Sequence, residues 1–111
     1  MVVQLTDTEL TRVFRALADA TRRDILRRTL VGAVSVSGLA SAYEMSFAAV
    51  QKHVAVLEEA GLIAKSASGR ERLVRADPAQ LARARACLQQ LEVLWRHRLD
   101  ALDAILTDPQ E

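Results

Sequence analysis

Leu10, Val13, Phe14 and Leu17 recur at the intervals that line one face of an α-helix. Ahead of them, Thr6-Asp7-Thr8-Glu9 has the spacing of a capping box, so a first helix is expected from about Thr8 to Ala18. Asp19 can cap a second helix with Ile25, Leu26 and Leu30 on its buried side, Arg22, Arg23, Arg27 and Arg28 largely outside, and Gly32 at its end. Val34 to Val36 reads as a short extended piece, and Ser37 as the N-cap of a small third helix from Gly38 to about Tyr43. After a turn at Glu44-Met45, Ser46 caps a fourth helix that reaches about Ala60, with Gly61 as its left-handed C-terminal residue. Val50, Val54 and Leu57 mark its inner stripe, while Ala48, Gln51, Lys52 and Ala55 fall on the other side.

The period then changes. Leu62 to Ser68 and Arg70 to Arg75 flank Gly69 as the two arms of a β-hairpin with a basic tip. Asp77-Pro78 supplies an N-cap and a first-turn proline for a last helix. Along it Leu81, Ala84, Leu88, Leu91, Trp95, Leu99, Leu102 and Ile105 or Leu106 form a stripe running almost to its end near Leu106. The chain is therefore expected to be mainly α with a small β-hairpin, in the order α-α-(β)-α-α-β-β-α. A single domain over 1–111 would hold a helix-turn-helix at about 37–60, a wing at about 62–76, and outer helices at about 8–18 and 78–106.

With 111 residues, half of them apolar, the chain has enough material for one core and is not of disordered composition. No apolar run approaches the ~20 residues that span a bilayer, and no basic segment leads into an apolar stretch at the N-terminus. The lone Cys87 precludes an intramolecular disulfide and fits a reducing compartment, so the cytoplasm is the expected location. Cys87 itself reads as a small apolar helix residue rather than a redox centre. Net charge is only +1, but Lys65, Arg70, Arg72, Arg75, Arg83 and Arg85 outnumber their acidic neighbours Glu71 and Asp77, whereas Asp100, Asp103, Asp108 and Glu111 close the chain without a base. A small total can thus hide a basic face and an acidic end.

Two short helices joined by a tight turn, the second capped by serine and followed by a basic hairpin, make a winged helix-turn-helix pattern. A helix entering the major groove needs small residues at its first turns so that its backbone can approach the base edges. Ala48 and Ala49 leave that clearance, Gln51 can offer its amide to adenine, Lys52 can reach guanine or a phosphate, and the amides behind Ser46 favour a backbone phosphate. Arg70 and Arg72 beside Gly69 suit a wing that follows the backbone or dips into the minor groove. His53 reads as a structural histidine beside the turn, or a phosphate donor, and Phe47 as a packing residue rather than a wedge between bases.

The stretches ALADATRRDILRRTL (16–30), VSVSGLASAYEMSFAAVQKHVAVLEEAGLI (34–63), GRERLVRADP (69–78) and LWRHRLDALDAIL (94–106) resemble, in order and spacing, the ArsR family of bacterial winged-helix repressors. The resemblance implies a homodimer on an inverted-repeat operator in double-stranded DNA. The family's reading-helix positions correspond to Ser46, Phe47, Ala48, Ala49, Gln51, Lys52 and His53, and its wing to Gly69, Arg70 and Arg72. It also implies dimerisation through the first and last helices, here Phe14, Leu17, Leu88, Leu91, Trp95, Leu99 and Leu102. The length of the last apolar stripe points the same way, since one small domain cannot cover it. An isologous pair would set the two reading helices about 34 Å apart.

One departure from the family pattern bears on regulation. Family metal sensors carry paired cysteines in the third helix, where this chain reads GLASAYEM, so soft-metal sensing through that site is excluded. His97, Asp100 and Asp103 on the last helix make a poor zinc set and are better read as partners of Arg96 or Arg98. No metal, no cofactor and no membrane partner is implied. No nucleophile is paired with a base at a recognised spacing, which argues against an enzyme. Two alternatives stand beside the DNA-binding repressor: a sensor of the same fold, whose small-molecule or redox signal enters at the dimer interface near Trp95 and Cys87, and a winged fold that binds protein.

Overall fold

The computed structural model describes residues 4–107, so Asp108 and Glu111 of the expected acidic end lie outside the described residues. The chain forms α1 (Asp7–Leu17), α2 (Ala20–Val31), β1 (Val34–Ser35), α3 (Val36–Ser41), α4 (Phe47–Glu59), β2 (Ile63–Ser68), β3 (Glu71–Ala76) and α5 (Pro78–Thr107). This is the winged helix-turn-helix order, with α3 and α4 as the helix pair and the β2–β3 hairpin as the wing. The capping box closes α1 in both directions: the Thr6 hydroxyl accepts from the Glu9 amide at 3.1 Å, and the Glu9 carboxylate accepts from the Thr6 amide at 2.9 Å. The bond from the Thr6 amide, and after it the Thr6 side chain, hold the Glu9 carboxyl below the usual carboxylate range.

The three strands are antiparallel in the order β1-β3-β2. Val34 pairs with Val74 and Ser35 with Leu73, while Ser68 opposite Glu71 leaves Gly69 and Arg70 as a two-residue turn. Gly69 has φ +61° and Arg70 has a negative φ, which is the pattern of a type II′ hairpin turn with glycine in its first central position.

The core lies where the helices meet the inner face of this sheet. Val13 and Ala16 of α1, Ile25 and Leu26 of α2, Leu39 of α3, and Val50, Val54 and Leu57 of α4 pack with Leu62, Ile63 and Val74. From α5 only Gln80 and Ala84 are buried. The whole helix is about 45 Å long at 1.5 Å per residue, and the part beyond Ala84 projects from the body and stretches the molecule to 76 × 35 × 24 Å. Among the described residues, no helix is long and apolar enough to cross a membrane.

Two expectations need correction. The N-cap of α3 is Ser35, not Ser37: the Ser35 hydroxyl accepts from the Gly38 amide at 3.0 Å, and Val36 is already helical. Pairing of Val34 and Ser35 with β3 ends the extended segment one residue earlier than hydrophobicity suggests. On α2 the third buried position is Thr29 rather than Leu30, which is 45% exposed. At about 100° per residue, position 29 falls between 25 and 26 on the wheel, whereas 30 rotates away. Thr29 tolerates burial because its hydroxyl donates to the Leu26 carbonyl at 2.9 Å.

The joint between α4 and α5 is polar. Gly61 sits at φ +77°, and the buried Gln80 side chain donates to the Ala60 carbonyl at 2.9 Å, just where a Cβ on Gly61 would lie. Gly61→Ala should lower the urea unfolding free energy by roughly 1–3 kcal/mol, combining left-handed strain with displacement of Gln80. Gly32→Ala is the control, since Gly32 is extended and a Cβ there meets nothing within 4 Å. At equal protein concentration it should change stability by less than about 0.5 kcal/mol.

Candidate nucleic-acid interface

Burial of Val50, Val54 and Leu57 turns the opposite side of α4 outward. Phe47, Ala48, Gln51 and Lys52 are exposed there, and Ala49 is half-buried. Ser46 caps the helix through its hydroxyl, which accepts from the Ala49 amide at 3.1 Å, while the Val50 amide bonds the Ser46 carbonyl. The amides of Phe47 and Ala48 are therefore left at the helix start without an intrahelical acceptor, and no acid stands in the first turn to neutralise them.

Across from this face stands the wing. Gln51, Phe47 and Val54 of α4, Val36 and Ser37 of α3, and Lys65, Arg70, Glu71 and Arg72 of the wing enclose a groove of about 500 Å³. The tight turn at Gly69-Arg70 and the register that puts Arg72 opposite Ala67 hold both arginines on this rim. Lys65, which belongs to the basic cluster but not to the expected site, also lines the groove, and its ammonium lies 3.5 Å from Glu58. Lys52, Arg70 and Arg72 make no ion pair with a described residue.

Not every expected site residue faces the groove. His53 turns inward, with Nδ1 3.4 Å from an Arg22 guanidinium nitrogen and 3.9 Å from the Asp19 carboxylate. This is the structural placement beside the helix junction. Arg22, expected outside, is half-buried because its guanidinium fork reaches the α1 carbonyls of Ala16 at 2.8 Å and Arg15 at 2.9 Å. A second clasp holds the turn between α3 and α4: the Tyr43 hydroxyl donates to the Asp24 carboxylate, which also accepts from Arg28 at 2.9 Å. The Arg28 guanidinium stands 5.5 Å from the centre of the Tyr43 ring. Neither clasp has a periodicity signature, which is why Arg22, Asp24 and Tyr43 escape a reading based on hydrophobic pattern.

No family model matches the chain. The HTH-type transcriptional regulator Rv2034 of Mycobacterium tuberculosis is 38% identical over 88 residues, covering 79% of this chain and 79% of that protein. The crystal structure of an ArsR family transcriptional regulator superposes with a TM-score of 0.78 at 32% identity, over 85% of this chain and 97% of the other. An ArsR-like transcriptional regulator from Rhodococcus sp. RHA1 gives 0.79 at 36% identity, over 88% and 92%. The chain belongs to the ArsR family of transcriptional regulators.

In this ArsR-family regulator the apolar stripe of α5 is bare beyond Ala84. Leu88, Leu91, Trp95, Leu99 and Leu102 are 53, 58, 58, 42 and 51% exposed, and Phe14 on α1 is 37% exposed. Leu17 is different, since it packs half-buried against the chain's own core. Cys87 is half-buried and lines a cavity of about 200 Å³ between α1 and α5 with Leu5, Asp7, Leu10 and Arg83. Among the described residues, no three His, Cys, Asp or Glu side chains converge as a metal site. On the last helix Arg96 pairs with Glu92 at 2.9 Å rather than with Asp100, because a glutamate one turn before its basic partner is the favoured order.

The Tyr43 clasp has a titration signature. Burial first, and then the bond to Asp24, push the Tyr43 hydroxyl up from 10.0 to about 12, and the same bond holds the Asp24 carboxyl below its usual range. The folded chain therefore keeps the phenol proton more tightly than the unfolded one. The stabilisation is complete below pH 10 and is lost as pH rises towards 12. Tyr43 is the only tyrosine, so phenolate absorbance reads it directly. The midpoint should lie near 12 in the wild type and move towards 10.0 in Asp24→Asn.

Proposed function

We propose that the chain is a homodimeric, sequence-specific DNA-binding regulator that represses transcription from an inverted-repeat operator. The observation that carries this reading is the groove in which Gln51 of α4 faces Arg70 and Arg72 of the wing. Ala48 and Ala49 let the helix backbone approach base edges, and Gln51 has the paired donor and acceptor that match adenine. Lys52 reaches guanine or a phosphate, and a phosphate seats at the amides of Phe47 and Ala48 under the Ser46 cap. Arg70 and Arg72 lie against the backbone or in the minor groove, and Gly69 permits the tight tip. Phe47, half exposed on the groove wall, packs against the sugar edge.

The second copy covers α5. Leu88, Leu91, Trp95, Leu99 and Leu102, with Phe14 and the outer edge of Leu17, form a continuous apolar face far larger than the scattered apolar residues of a monomer surface. A twofold pairing of that face sets two copies of α4 side by side, one helical turn of DNA apart. A second reading, a signal entering at this interface, is supported by the cavity that Cys87 lines. Trp95 is the only tryptophan, so its fluorescence during titration with metabolites or a mild oxidant separates a sensor from a constitutive repressor.

Selection of bound fragments from a random DNA pool tests the proposal and should return a two-part, inverted half-site. On that operator Gln51→Ala should cost about 1–3 kcal/mol and relax the preference at one base position in each half. Arg70→Ala should instead weaken binding to all sequences and lower the slope of log affinity against log salt by about 1 per contact. Equal losses by both variants on operator and random DNA would remove α4 as the reader. The double variant Leu91→Glu, Leu99→Glu should sediment as a folded monomer and lose operator binding. A double variant that remains a dimer would place the subunit interface elsewhere.

A further inference from the structure

Arg22 connects three helices through one planar side chain. Its Nε donates to the Ala16 carbonyl at 2.8 Å, an acceptor that the end of α1 leaves open, and one terminal nitrogen donates at 2.9 Å to the Arg15 carbonyl, which also accepts from the Ala18 amide. The other terminal nitrogen lies 3.4 Å from Nδ1 of His53 on α4. Its own backbone amide donates at 3.0 Å to Asp19, the cap of α2, and that same carboxylate oxygen stands 3.9 Å from the His53 ring. Arg23, next along α2, donates to the Leu17 carbonyl at 2.8 Å, so adjacent arginines close three successive carbonyls of α1. A guanidinium has only donors, so Nδ1 of His53 accepts from Arg22 and the ring carries its proton on Nε2.

Apolar packing of Val50, Val54 and Leu57 is non-directional, whereas a charge-assisted hydrogen bond has a preferred direction. Arg22 supplies the direction. It reaches α4 at the residue beside Lys52, in the turn that also carries Gln51, and it is fixed at the other end to α1, whose Phe14 lies on the face assigned to the partner copy.

We propose that Arg22 is a positioning residue that sets the angle of α4 relative to the dimer axis, with His53 as its receiver. In a twofold dimer a small rotation at each Arg22 fork changes the separation of the two reading helices. Arg22 and His53 therefore govern which half-site spacing is accepted, while Gln51 governs which bases are read. This inference rests on α4 being the reading helix.

The test uses the full chain and the operator obtained by selection, together with versions whose spacer is one base pair longer or shorter. Arg22→Lys keeps the charge and removes the fork. It should fold, bind random DNA as the wild type does, lose roughly tenfold on the native operator, and lose most of the preference for native over altered spacing. His53→Phe leaves Arg22 on α1 but removes its acceptor, and should show the same loss of spacing preference. Base preference within each half-site should be unchanged in both, unlike Gln51→Ala. If Gln51→Ala leaves base preference intact, α4 is not the reader and the underlying assignment fails. If Gln51→Ala shifts base preference but Arg22→Lys and His53→Phe discriminate spacing like the wild type, the positioning role alone is overturned. Equal loss on operator and random DNA also overturns it. Should Arg22→Lys not fold, His53→Phe decides by itself.

Discussion

Val50, Val54 and Leu57 lie on one side of α4, and their burial is the constraint from which the rest of the geometry follows. Each contributes on the order of 1.5–3 kcal/mol by leaving water, and α1, α2, α3 and β2 all pack against the helix that carries them. Because a helix has a fixed period, burying that stripe decides which residues the opposite side presents: Ala48, Gln51 and Lys52 face outward as a consequence of the core. The wing is positioned by the same core through Ile63 and Val74, so the groove between Gln51 and the wing arginines is a by-product of hydrophobic packing. A substitution that loosens Leu57 would therefore blur the site without touching it.

This constraint also separates affinity from selectivity. The exposed side of α4 carries a single cation, Lys52, and its first turn has no acid. Net charge is only +1, so long-range attraction to a polyanion must come from the local distribution. In the proposed complex Arg70 and Arg72 supply it from the two-residue turn of the wing and the strand beside it. Lys65, beside them in the groove, is partly offset by Glu58. In the proposed complex a near-neutral reading face flanked by a cationic wing would let weak, salt-sensitive contacts gather the DNA and leave discrimination to amide and methyl chemistry.

Pattern alone recovers those parts of the fold that hydrophobic period and local caps specify. The capping box at Thr6, the Ser46 cap, the Gly61 terminus, the hairpin around Gly69 and the buried stripe of α4 all have a signal confined to a few neighbouring residues. The start of α3 does not, because Ser35 and Ser37 are equally good caps and long-range pairing of β1 with β3 chooses between them. Thr29 is buried against its polarity because a local hydroxyl bond makes it inexpensive, and Leu30 is displaced by the wheel angle. At the candidate site, the exposed residues of α4 and the wing are legible as a set because they follow from the caps. His53 reads from the sequence as a structural histidine beside the turn or a phosphate donor, but its partner Arg22, thirty-one positions away, has no sequence signal. Tertiary polar clasps of this kind leave no trace in the spacing of apolar residues.

The long α5 raises the remaining physical question, since a helix with its apolar side in water should not be stable by itself. Beyond Ala84 it gains little from its own domain: Leu88, Leu91, Val93, Leu94, Trp95, Leu99 and Leu102 all remain more than two-fifths exposed. Ion pairs such as Arg96 with Glu92 beside the stripe contribute only a few tenths of a kcal/mol each at the surface. The stability of this segment must therefore come from a covered apolar face, and the proposed second copy provides one by symmetry without requiring any further complementary surface. The same pairing gives α5 a mechanical role. Its first turn donates Gln80 to the Ala60 carbonyl at the end of α4, while the opposite helix, α1, is tied to the middle of α4 by Arg22. In the proposed dimer both elements of the interface are thus tied to α4, α5 through Gln80 and α1 by way of Arg22 of α2, so the interface and Gln51 are joined by short polar links.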